Sequence, residues 1–334
     1  MEIKEKNFSG VIGADISKKS IDLFYHFGKQ HLKISNHNTG YRQLLSWLQQ
    51  QHLELADVLI VMEHTGLYSY LFEQFLHSRT IAFAKVNALA IKRSIGLTRG
   101  KSDKIDARRI ARYGCQWMDM LRVQKPADKA LQRLKLLQAN RDRLVKHRAA
   151  LRNALTEYDN IHLSKQDLLM QTHVQLIKQF DRQIEKIETE IEAVIAEEQS
   201  LANNYRLLQS IKGIGKTAAV TTIIKTENFT RFTVARKFAC YCGTAPFEHT
   251  SGSSIRGKDR VSHLADKRMK SLLDCCAKSA IQHDEELKQY YQKRVEMGKS
   301  KMSTINIVRN KLLYRMFAVI KRQSPFVDHY LLVA

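Results

Sequence analysis

The chain has 334 residues, 55 Lys and Arg against 33 Asp and Glu for a formal charge of +22, and 44% hydrophobic residues with 14 glycines and 3 prolines. That apolar content excludes a disordered chain and the length suits about two domains, while the longest aliphatic run, Val58 to Met62, is far too short to cross a bilayer. So large a positive excess selects a polyanionic partner, nucleic acid before membrane.

The opening Met1 to Lys6 is charged and lacks the apolar core of a secretory leader, so the protein is expected in the cytoplasm. Val11 to Ser17, a polar turn at Lys18 to Ser20 and Ile21 to Phe27 read as a hairpin, and the alternation of His31 to Ser35 reads as a third strand. A helix follows from Thr39 to Leu48. Asp57 to Glu63 reads as a buried strand, Tyr68 to His77 as a helix and Ile81 to Val86 as another strand. Strands in a row, then alternating helix and strand, make an α/β domain with a mixed sheet.

From Ala127 the pattern changes. Leu137, Leu144, Leu151 and Tyr158 recur every seven residues, and after a polar break at Asp159 to Gln166 the series Ile177, Phe180, Ile184, Ile187, Ile191 and Val194 alternates threes and fours. This predicts a helical hairpin or coiled coil, a seam for another long helix of the same chain or of a partner. Beyond it, Ile211-Lys212-Gly213-Ile214-Gly215-Lys216 lies between two helical patterns and reads as a helix-hairpin-helix turn, whose backbone N–H groups can face a phosphate. A helical region, a polar loop over 243–260 and further helices complete the chain. The predicted domains are 1–126, 127–203 and 204–334.

The basic excess is uneven: residues 85–125 hold 11 Lys and Arg against 3 acids, and residues 231–270 hold 9 against 3. Lys101, Lys104, Arg108 and Arg109 in the first segment, Lys212, Gly213, Gly215 and Lys216 at the hairpin, and Arg256 and Lys258 in the second are the candidate nucleic-acid contacts. Five cysteines with no C-x-x-C pair argue against a disulfide framework or a zinc site and read as small thiols.

Four acids are candidates for chemistry. Asp15 and Glu63 end predicted strands, and Asp103 and Asp106 stand three apart, on one face of a basic helix. Strand ends of an open sheet converge on one edge, so the four form a candidate site for two Mg²⁺ ions, the arrangement that activates a nucleophile and stabilises a leaving oxygen at a phosphodiester. Asp22 and Asp57 read as turn or cap residues. Glu248 to Lys258 contains Ser251-Gly252-Ser253-Ser254, a loop in which a hydroxyl could serve as nucleophile with Arg256 or Lys258 on the oxyanion.

Gly13-Ala14-Asp15-Ile16-Ser17-Lys18, Glu63-His64-Thr65-Gly66-Leu67-Tyr68, Lys101 to Arg108, Ile211 to Gly215 and Ser251 to Gly257, in this order, resemble the DEDD transposases of the insertion-sequence 110 family. Relatives of that family include Piv-type DNA invertases and recombinases guided by a noncoding bridge RNA. The resemblance implies an α/β plus α architecture: an RNase H-like, RuvC-like first domain, a coiled-coil middle and a mostly helical transposase domain with the helix-hairpin-helix element. It implies that Asp15, Glu63, Asp103 and Asp106 bind Mg²⁺, with Mn²⁺ as a substitute, and that Ser251 forms a covalent phosphoserine link to DNA. It further implies donor and target DNA, a guide RNA and a dimeric or tetrameric assembly as partners, in the bacterial nucleoid. The competing readings are a Piv-type invertase, a stand-alone Mg²⁺-dependent junction nuclease that needs the acids but not Ser251, and a non-catalytic nucleic-acid-binding assembly protein.

Overall fold

The computed structural model describes residues 8–64, 66–94, 96, 100, 102–124, 128–251 and 255–328, with the backbone alone for 249–251 and 255–259. The chain divides into two compact units, residues 1–127 and 128–334.

The first unit is built on strands β1 (Gly10–Ile16), β2 (Ser20–Tyr25), β3 (Gln30–Ser35), β4 (Val58–Glu63) and β5 (Ala82–Val86). Helix α1 (Asn38–Gln50) links β3 to β4, α2 (Tyr70–Ser78) links β4 to β5, and α3 (Ala88–Ser94) and α4 (Asp103–Gln116) follow β5. The sheet order is β3-β2-β1-β4-β5, with β2 antiparallel to both β1 and β3, and β4 and β5 parallel to β1. Parallel strands buried on both faces read as unbroken apolar runs, and Val58 to Met62 are accordingly all fully buried. One face packs Ile12, Ala14, Leu23 and Ile60 against Tyr41, Leu44 and Leu48 of α1 and Phe72 and Leu76 of α2. The other packs Val11, Leu59, Val61 and Val86 against Ile91 of α3 and Ile110 of α4. The expected strands and helices of residues 11–86 form within a few residues of their sequence positions.

Helix α4 lies on β1 without an intervening side chain. A Cβ at Gly13 would stand 2.1 Å from the Ala107 carbonyl oxygen and 2.3 Å from the Ala111 nitrogen. Ala107 and Ala111 are completely buried and meet Phe24 of β2, so three small residues permit the close approach.

The second unit comprises α5 (Lys129–Asn160), α6 (Leu168–Glu197), α7 (Gln199–Gln209), α8 (Lys216–Thr226), α9 (Ala235–Cys242), β6 (Pro246–Ser251), β7 (Ile255–Val261), α10 (Lys267–His283), α11 (Glu285–Glu296) and α12 (Lys301–Arg322). The heptad seam is met within the chain. Helices α5 and α6 form an antiparallel hairpin whose flanks are tied by Arg133–Glu190 at 2.9 Å, Arg141–Glu188 at 2.6 Å and Arg148–Asp181 at 2.5 Å, with His147 stacked near Phe180 and Tyr158 edge-on to His173. The base of the hairpin joins the helical core through Leu134, Leu137, Ile191, Val194 and Ile195, around α7, α8, α10 and α12.

The polar loop expected over 243–260 is in fact largely strand. β6 and β7 pair antiparallel from Pro246–Val261 to Ser251–Ile255, with an irregularity between Phe247 and His249. Ser251 is itself paired, opposite Ile255, and Phe247, Thr250, Ile255 and Val261 are β-formers. Of the cysteines, all five are free thiols, with Cys242 and Cys276 buried; burial pushes the Cys276 thiol up to about 12. No helix among the described residues is long and apolar enough to cross a membrane.

Gly13→Ala forces a methyl group into the α4 backbone and is expected to destabilise the first unit by at least about 1–3 kcal/mol. Trp47 and Trp117, the only 2 tryptophans, both lie in that unit, so urea unfolding followed by tryptophan fluorescence measures the loss directly.

Candidate functional site

Residue 15 follows an apolar strand, so its carboxylate sits at the C-terminal end of β1, and the parallel register that pairs Ala14 with Met62 brings Glu63 to the same edge. Asp103 and Asp106 occupy the first turn of α4, where acids suit the positive end of the helix dipole. Ser102 caps that turn, its hydroxyl accepting from the Ile105 N–H at 3.3 Å. The seating of α4 on Gly13 then sets this turn beside Asp15. The consequence is electrostatic: the Asp15 carboxyl is pushed up from 3.8 to about 6, first by burial and then by the charges of Asp103, Asp106, Asp22 and Glu63.

Sequence reasoning missed Asp22. It is not a turn residue but lies within β2, directly across from Asp15, and is almost fully buried. Its Oδ1 is 2.9 Å from Nε2 of His31, and its Oδ2 is 3.2 Å from Nζ of Lys33. Lys33 is opposite Asp22 in the β2–β3 register and also lies 3.9 Å from Oδ2 of Asp103. Asp15, Asp22 and Lys33 thus form one row across three strands. The signal was present in the alternation of β2 and β3, but only the register turns it into a row. Lys85, opposite Met62, gives both its short contacts, 2.8 and 2.9 Å, to Glu73, which also accepts from the Ser69 hydroxyl at 2.6 Å.

Among the described residues no group of three or more His, Cys, Asp or Glu is close enough to hold a metal ion as it stands. The donor set nevertheless suits a hard divalent cation: beyond burial, the groups that raise the Asp15 pKa are carboxylates, and such a cation relieves their mutual repulsion.

The candidate nucleic-acid residues divide. Lys104 and Arg108 of α4 are exposed, with Arg108 6.0 Å above the Phe24 ring. Arg109 turns inward, to Asp106 at 2.9 Å and to the Gly100 carbonyl at 3.0 Å. Lys101 lies outside the described residues. At the hairpin between α7 and α8, Gly213 has φ of +90° and its missing Cβ makes room for Ala280 and the Cys276 carbonyl of α10, whereas Gly215, at the start of α8, borders open space. Lys212 pairs with Asp328 and Lys216 with Glu192. Ser251 is the last residue of β6, opposite Ile255, and Arg256 and Lys258 are on β7; their side chains are outside the described set, as are residues 252–254. The base of this strand pair is anchored to α12: the Thr244 carbonyl accepts from Asn306 at 2.8 Å and Asn310 at 2.9 Å, and Arg236 donates to the Pro246 carbonyl at 2.9 Å.

In comparisons with known proteins, the DEDD transposase model of the IS110 family matches residues 12–158, and the model described as "Transposase IS116/IS110/IS902 family" matches residues 205–292. The pilin gene-inverting proteins of Moraxella bovis and Moraxella lacunata are each 28% identical to the chain over 323 residues, covering 94% of this chain and 97% of theirs.

An acid whose pKa is raised by folding holds its proton to higher pH than in the unfolded chain, so it lowers stability progressively as pH rises through that window. In EDTA, the first unit is therefore expected to lose stability between pH 3.8 and about 6 and to level off above. Fluorescence-monitored unfolding of wild type and Asp15→Asn across pH isolates this contribution: the difference between the two curves carries the slope.

Proposed function

Because the chain belongs to the IS110 family of transposases and is a DNA recombinase, we propose that it cuts and rejoins DNA through a phosphoserine intermediate formed by Ser251, with divalent cations held by Asp15, Glu63, Asp103 and Asp106. The observation that carries this reading is the gathering of acids at one strand edge: the β1–β4 register brings Asp15 and Glu63 together, and Asp103 and Asp106 occupy the first turn of the helix seated on Gly13. A fold that gathers like charges at one strand edge spends stability to do so, and such clusters mark sites of chemistry more than of structure. The sheet, three antiparallel strands followed by two parallel ones, supports the RNase H-like assignment.

Bound divalent cations, Mg²⁺ or in its place Mn²⁺ and two per site, supply charge that stabilises both an attacking and a leaving oxygen at phosphorus. The protein groups do the remainder. Ser251 Oγ loses its proton and forms a bond to the scissile phosphorus; the bond from phosphorus to the 3′ oxygen breaks, and that oxygen takes up a proton as a 3′-OH. The 5′ side stays on Ser251 as a phosphodiester. One ester replaces another, so a 3′-OH of the partner strand can attack the phosphoserine and release Ser251 without an external energy source. Lys104 and Arg108, exposed on α4 beside the acids, hold the DNA backbone, and Lys212, Gly215 and Lys216 offer a second phosphate contact at the start of α8.

The partners we propose are donor and target DNA, a noncoding guide RNA and further copies of the chain. The guide RNA rests on the family resemblance, with which a sequence in which no base-reading motif stands out is compatible. A dimer or tetramer is favoured by exposed Ile161, Leu168, Leu169, Val174 and Leu176 around the far end of the α5–α6 hairpin. Inversion is the second reading, favoured by the names of the two Moraxella relatives; it uses the same chemistry with both sites on one DNA molecule.

A denaturing gel tests the reading. With protein co-expressed with the noncoding flanks of its gene, labelled donor DNA and Mg²⁺, wild type is expected to yield a covalent adduct. Ser251→Ala and Asp15→Ala are expected to yield none while still binding DNA. Cleavage that persists in Ser251→Ala would replace the phosphoserine pathway with metal-dependent hydrolysis.

A further inference from the structure

Lys33 stands between two acids that belong to different elements. Its Nζ is 3.2 Å from Asp22 Oδ2, on the neighbouring strand, and 3.9 Å from Asp103 Oδ2, on α4. Asp22 has both oxygens engaged, one by His31 and one by Lys33, with its side chain only 5% exposed. Asp103 and Lys33 are by contrast 65% and 55% exposed, at the open side of the site. A buried carboxylate with both oxygens taken is a fixed negative anchor; a long ammonium arm held by that anchor can still reach Asp103 or leave it.

Resting on the proposed role of the four acids, we propose that Lys33 is a positioning residue of the metal site, an internal cation that draws Asp103 toward the sheet and competes with a divalent cation for its carboxylate. Asp22 is its anchor and not itself a metal ligand. Two consequences have opposite signs. Removing the Lys33 charge removes the competitor, so divalent cations bind more tightly. Neutralising Asp22 releases Lys33 to pair with Asp103 alone and takes away a nearby negative charge, so they bind more weakly. A residue that served structure alone would change affinity in one direction only, through loss of the folded site.

The test is Mn²⁺ binding, read by electron paramagnetic resonance of the free ion, on the full-length protein without nucleic acid. Lys33→Met is expected to bind Mn²⁺ about three- to tenfold more tightly than wild type. Lys33→Arg, which keeps the charge, is expected to remain close to wild type, and Asp22→Asn to bind more weakly. Tryptophan fluorescence in EDTA verifies that each variant keeps the first unit folded, and Lys33→Gln takes the place of Lys33→Met if that variant does not fold. Unchanged or weaker binding in the folded neutral variant overturns the role of Lys33. Asp15→Asn separates this failure from that of the underlying reading. If it abolishes Mn²⁺ binding while the neutral Lys33 variant matches wild type, the acid site stands and the Lys33 role falls; if it binds Mn²⁺ as wild type does, both fall.

Discussion

Helix α4 approaches β1 so closely that a single methyl group on Gly13 would sit 2.1 Å from the Ala107 carbonyl oxygen. The grouping of the acids in the first unit depends on that contact. It is made possible by glycine on the strand and two alanines on the helix, and it brings the acidic first turn of α4 to the carboxyl end of β1. With bulkier residues in these positions the helix would ride higher on the sheet, and Asp103 and Asp106 would act on Asp15 from farther away. Small residues at the contact and acids one turn from it are therefore parts of a single device.

That device carries an electrostatic cost. Asp15 is half-buried and faces four other carboxylates, and its pKa rises to about 6. The sheet supplies partial compensation from its edge, where Lys33 of β3 offsets the charge of Asp22 and His31 hydrogen-bonds to it. Arg109 compensates Asp106 from one turn along α4. Lys33 and Arg109 each lie beside an acid other than Asp15. The divalent cations proposed for this site would relieve what repulsion is left.

In the second unit the proposed nucleophile, Ser251, lies on a strand pair instead of a sheet edge. β6 and β7 project from a helical core, and their base is held by Asn306 and Asn310 of α12 on the Thr244 carbonyl. The paired strands give Ser251 a defined backbone position at the end of β6. In the same unit, the turn between α7 and α8 separates two roles within one short motif: Gly213 is spent on close packing with α10, and Gly215 leaves the start of α8 open.

Local pattern alone established the order of strands and helices in residues 11–86, a helical hairpin or coiled coil with its break near residue 160, and the four acids as candidates, because alternation, heptad spacing and strand-end acids are properties of neighbours in the chain; Ser251 was singled out in its loop by the family resemblance. The strand character of 246–251 and 255–261 was obscured by the glycine and serines of the Ser251-Gly252-Ser253-Ser254 string, which are turn residues and dominate a short window. Asp22 was misread for a related reason: one aspartate near a turn looks the same whether it caps the turn or stands in a sheet, and only the pairing Asp15–Asp22–Lys33 distinguishes the two. Which acids act on one another, which cations offset them and which glycine faces a helix are matters of register and packing, set by contacts between residues far apart in sequence. These the tertiary structure alone decided.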